Sequence, residues 1–216
     1  MRPTFPGFAA VCALLAVPAL AGEQPSQRPS RDVAIEYSVS GMNPAGGGMG
    51  GGAGVMTMYF TNKGSLMRIE PPGGMGYTIM NADTGHTIAV MTSLKTYVEV
   101  AGGQAVINTF ANPGLTFRKI GADGAAGLIC TLYETGGNGR TGHVCLTDDG
   151  VQLRAQGGGP GGTADMEALK VTYAPQPATL FQIPAGFTKM EMPNLGALAG
   201  GAVKGGAPPN GFPAIK

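Results

Sequence analysis

Residues 130–145, CTLYETGGNGRTGHVC, hold two of the three cysteines and one of only two histidines in a chain of 216 residues. Those residue types at that spacing suit three chemistries: a metal site, a redox pair or a structural bridge. A structural zinc site wants four ligands. Only Cys130, Cys145 and His143 are at hand, and His143 is expected on the strand face opposite Cys145. A redox pair wants Cys-x-x-Cys at the start of a helix, which this spacing does not give. The bridge fits better. Gly137-Asn138 suits a tight turn with positive φ, and a turn there pairs residues whose numbers sum to 275, setting Cys130 opposite Cys145. Directly paired Cα atoms lie about 4.5–5.5 Å apart, within the reach of a disulfide. So short a closed loop gives a bridge worth about 3 kcal/mol. A structural disulfide is the reading adopted, with free thiols or a metal as alternatives.

Other reactive side chains have simpler explanations. Asp83 and His86 could form an acid–base pair, but NADTGH reads as a hairpin tip with Gly85 at the left-handed position. Asp148 and Asp149 adjoin Gly150 in a turn, where aspartate is expected on conformational grounds. The chain contains no Gly-x-Ser-x-Gly, His-Glu-x-x-His or Walker loop. Gly46, Gly48 and Gly51, and again Gly157, Gly159 and Gly162, match G-x-G-x-x-G, but neither triplet opens a helix as a dinucleotide site requires. A non-enzymatic protein without a cofactor is expected. Methionine is frequent, including Met56-Thr-Met58 and Met190-Glu-Met192. Thioethers are soft ligands that select Cu(I), so a copper-binding envelope protein is one alternative function; a structural or interaction domain with no ligand is the other. The simpler account is methionine as adaptable apolar filler.

The first residues set the compartment. Arg2, the apolar run FAAVCALLAVPALA and a small-x-small ending at Ala19–Ala21 form a signal peptide, 1–21, which takes Cys12 with it. The mature protein is therefore expected in the periplasm or secreted, where disulfides persist. Beyond residue 21, the 13 basic residues (14 less Arg2) balance 13 acidic ones. A neutral chain without a basic stripe gives no footprint for nucleic acid, and no second apolar run is long enough to span a membrane.

The elements that must carry these residues alternate with a period of two. Val33, Ile35, Tyr37 and Val39 share one face, as do Met56, Met58 and Phe60. LTFRKI, VQLRAQ and LKVTY alternate likewise, and TNKGS, PPGGMG, NADTGH and TDDG supply the turns between strands. Only 102–112 and 163–169 could form short helix, and 163–169 could equally extend a strand. The predicted fold is mainly β, a curved antiparallel meander with little helix. It spans 32–192 as one domain, after a disordered linker 22–31 and before a disordered Gly/Pro-rich tail 193–216, with Gly-rich loops at 41–54 and 157–162. So many one-sided strands must close on themselves or curl around something. If the sheet curls as a half-barrel, Met56, Met58, Phe60, Met67, Ile69 and Ile79 are predicted to line its concave face and meet an apolar ligand.

The order of MYFTNKGSLMRIE, NADTGHTIAVM and SLKTYVEV, then GADGAAGLICTLYE, HVCLTDDGVQLRAQ and ATLFQIPAGFTKM, resembles the bacterial lipoprotein-carrier fold of the LolA/LolB type. More closely it resembles an exported bacterial family related to that fold. The resemblance covers about residues 32–192 through soft patterns of apolar, Lys-Tyr and Pro-Ala-Gly-Phe type. It implies a curved half-barrel able to hold acyl chains, with a lipid, a lipoprotein or another apolar molecule as partner. Two departures stand out: no substantial helix follows the signal, and a Gly/Met-rich loop fills 41–54.

Overall fold

The structure is a computed structural model that describes residues 24–41, 53–101, 103, 114–137, 139–159 and 162–191. The expected signal peptide, the tail 193–216, most of the loop 41–54 and nearly all of the helix candidate 102–112 lie outside the described residues.

Among the described residues, twelve strands form one open, curved sheet. They are β1 Val33–Ser40, β2 Gly54–Thr61, β3 Leu66–Glu70, β4 Gly76–Asn81, β5 Thr87–Met91, β6 Thr96–Glu99, β7 Thr116–Ala125, β8 Leu128–Gly137, β9 Arg140–Leu146, β10 Gln152–Gly159, β11 Gly162–Tyr173 and β12 Thr188–Lys189. The meander comes in two parts. β1 to β6 run consecutively, the chain then crosses to the far edge, and β7 to β11 run back until β11 pairs with β1. All pairings are antiparallel except that of β12, which adds to β6 in parallel after a 3-10 turn at Ala178–Phe181. The ambiguous stretch 163–169 is strand, within β11. Gly157–Gly159 and Gly162, read from sequence as loop, belong to β10 and β11.

Alternation explains why these segments are strands with one buried face. In β1 the even-numbered partners remain half-buried or exposed while Val33, Ile35, Tyr37 and Val39 are buried. Register then stacks apolar rows across the sheet: Phe60 lies between Val33 and Met67, and Met58 between Ile35 and Ile69. This core gathers residues from both halves of the sheet, including Cys130, Cys145, Val151, Leu153 and Ala168, so the sheet curves toward that face. The Tyr37 hydroxyl donates to the Gln152 carbonyl oxygen at 2.8 Å, tying the first strand to the tenth. Burial pushes that hydroxyl's pKa up, keeping it a donor.

The two ends of the sheet differ. At one end the segment before β1 runs across three turns. Pro29 is fully buried and approaches Gly64 in the β2–β3 turn. Arg28 pairs with Asp83 in the β4–β5 turn at 3.1 Å, and Ser30 N–H donates to the Asp149 carbonyl in the β9–β10 turn at 2.8 Å. Residues 24–31, expected as a linker, thus lace the hairpin tips together at this end.

Candidate functional site

Five of the six predicted lining residues come together. Met56, Met58, Phe60, Met67 and Ile69 share one cluster on the face toward which the sheet curves, at 5–8% exposure. Met80 joins them, directly opposite Met67. Ile79 does not. It lies on the reverse face in a separate cluster with Tyr77, Val90, Phe181 and Phe187. The reason is local: Tyr77 to Met80 are all buried, because the 3-10 turn and the chain after it cover the reverse face there. Alternation could not choose between Ile79 and Met80 when neither neighbour was left to solvent.

Arg68 organises that covered reverse side. Its guanidinium stacks over the Tyr77 ring at 3.4 Å, donates to the Leu180 carbonyl at 2.9 Å and pairs with Glu70. Those contacts fasten the 178–181 turn to β3 and β4.

The cysteine pair is a disulfide, with Cα atoms 5.4 Å apart. Its register differs from the expected one. Gly137 pairs with Arg140 and Leu132 with Cys145, so the turn is one residue further along, each cross-strand partner shifts by two, and the bridge spans a diagonal. Right-handed strand twist brings one diagonal of an antiparallel pair close, which makes either register compatible with a bridge. His143 also departs from expectation. It sits two residues from Cys145 in a regular stretch of β9 and therefore shares its face. Both sulfurs are tied in the bridge, and among the described residues no group of three His, Cys, Asp or Glu could hold a metal.

Following that face away from the disulfide leads to a feature the sequence did not announce. Four strands each place one polar side chain in a single cross-strand row: Glu134 opposite His143, His143 opposite Gln156, Gln156 opposite Asp165. The next rung outward is Gly136, Thr141, Gly158 and Thr163. The row, with Thr141, Gly158 and Thr163 of the next rung, lines an open polar depression of about 500 Å³. Glu134 is ion-paired with Arg118 of β7. The signal for this row was the register of three successive hairpins, and a register set two residues off hides it.

The aspartates singled out from the sequence stand in turns. Asn81 accepts from the Asp83 and Thr84 amides, forming the β4–β5 turn. Asp149 is a hub that accepts from Thr147, Tyr173 and, through two nitrogens, Arg31, which also lies over the Tyr173 ring at 3.9 Å. Among the described residues no helix is long and apolar enough to cross a membrane.

No protein-family model and no curated protein matches the chain. Among solved structures, it is similar to MucB at 12% identity and a TM-score of 0.48, over 74% of this chain and 59% of MucB. It is similar to the MucA/MucB complex of Pseudomonas aeruginosa at 12% identity and a TM-score of 0.46, over 69% of this chain and 54% of the matched one. PNGF-II follows at 13% identity and a TM-score of 0.46, over 78% of this chain and 32% of that one. The match therefore spans less than two thirds of each of these proteins.

Proposed function

We propose that this chain is a non-catalytic binding protein of the periplasm or extracellular space that takes up a lipid, a lipoprotein acyl chain or another apolar molecule on the face bearing Met56, Met58, Phe60, Met67 and Ile69. The observation that carries the reading is the concentration of thioether and aromatic side chains on the inward face of a sheet whose two edges, β12 and β7, do not meet. Methionine has three rotatable bonds and a polarisable sulfur, so a Met-rich cluster can repack around a guest that a branched-chain core would exclude. An unclosed sheet can widen without breaking ladder hydrogen bonds.

The test is titration of the mature protein with an environment-sensitive fluorescent fatty acid. Saturable binding is expected, weakened at least tenfold in Met58→Gln, which lies on this face, and unchanged in Ile79→Ala, which lies on the other. Absence of saturable binding, or equal weakening in both variants, refutes the reading. A second reading, Cu(I) binding, draws on Met67 and Met80 standing directly opposite each other within a cluster that also holds Met56 and Met58. Cu(I) retained in a native mass spectrum, and lost in Met67→Leu, would favour it.

A further inference from the structure

We infer that the polar depression across β8 to β11 is a binding site for a neutral saccharide, independent of any ligand on the apolar face. The first observation is the row itself. Glu134, His143, Gln156 and Asp165 are planar polar groups offering both donors and acceptors, set side by side on four adjacent strands. Strand spacing spreads them over about 14 Å. That is too wide for one metal ion, and it also separates the two carboxylates beyond the roughly 5–10 Å that glycoside hydrolysis uses. The geometry suits holding an extended hydroxyl-bearing molecule, not cutting it. Charge narrows the class. Two carboxylates disfavour an anion, while Arg118 already neutralises Glu134 and leaves little excess charge to attract a polycation.

The second observation is the floor. Glycine weakens a strand relative to residues with side chains, so a strand glycine calls for a reason. Gly142 has one: a Cβ there would lie 2.4 Å from the Gln156 carbonyl oxygen. Gly158, which is part of the lining, has none in the fold. A Cβ there would meet nothing closer than 3.6 Å, from Thr163, and its φ is not positive. The backbone would accept a side chain there, and that side chain would fill part of the open depression of about 500 Å³.

The experiment is an amide NMR titration of the exported protein with maltotriose, cellotriose and chitotriose, with spermine as the polycation control. At least one trisaccharide is expected to shift the amides of Thr141 to His143, Gln156 to Gly158 and Thr163 to Asp165 saturably, with smaller changes elsewhere. Gly158→Val should leave the rest of the spectrum in place and weaken that binding at least tenfold. Asp165→Asn, which leaves the backbone untouched, should weaken it several-fold and serves as the arm that does not depend on Gly158→Val folding. No saturable shift of these amides with any trisaccharide overturns the proposal. So does tighter binding of spermine at the same amides, or binding unaffected by both variants.

Discussion

Removing the Asp149 carboxylate tests how the laced end of the molecule is held. Its side chain is 20% exposed and accepts from the Thr147 and Tyr173 hydroxyls and from Arg31. Each hydroxyl bond is worth about 1 kcal/mol net. The Arg31 pair adds little, because the Arg31 side chain is 60% exposed and screened by solvent. Asp149→Ala should therefore lower stability by about 2 kcal/mol at neutral pH. The pH dependence follows from the same contacts. Burial disfavours the charged form, but the bonds from Thr147, Arg31 and Tyr173 outweigh it and hold the carboxyl below its ordinary value of 3.8. A depressed carboxyl contributes stability that is complete above its unfolded pKa and lost as pH falls through the folded one. The gap between wild type and Asp149→Ala should thus be full at pH 7 and narrow below pH 3.8. Urea unfolding at neutral pH, about pH 5 and about pH 3 measures it as a change in midpoint at constant slope. A gap that stays constant down to the lowest pH, or is undetectable at neutral pH, refutes this account.

Two further outcomes test the scaffold. Unreduced, unfolded protein lacking residues 1–21 should titrate no free thiol, and Cys145→Ser should lower stability by about 2–4 kcal/mol in a thermal or urea melt. Gly76→Ala should be among the more damaging small substitutions, on the order of 3 kcal/mol, because its Cβ would sit 2.0 Å from the Val90 carbonyl oxygen and force β4 away from β5; Gly121→Ala, which meets nothing within 4 Å, is the neutral control in the same melt.

Where one face is wet, the period-two pattern gave the right inward row: Val33 to Val39 and Met56 to Phe60 are buried as alternation required. It failed at Ile79, because a later segment bearing Phe181 and Phe187 covers the second face and removes the polar alternation that would have marked it. The disulfide was legible because two registers both bring the cysteines together, and for the same reason its success did not fix the register. That ambiguity hid the Glu134–His143–Gln156–Asp165 row, since a cross-strand row exists only once three hairpin registers are known together. Residues 24–31 read as solvated linker by composition. Their docking depends on turns distant in sequence, which composition does not encode.

The central position of β1 has a consequence for assembly. Its first partner, β2, follows directly, but its second, β11, is the last long strand of the domain. While a chain is delivered from its N-terminus, β1 to β6 can form a sheet whose β1 edge has no cover until Tyr173 has been delivered. Contacts so far apart in sequence form slowly, since loop closure precedes any gain from pairing. During that interval an edge carrying alternate Val, Ile and Tyr side chains is a template for other chains. The joining of β1 to β11 is thus the late event that retires this edge. A chain interrupted before β11 would retain an unpaired strand in the middle of its design, with aggregation or proteolysis as the competing fate.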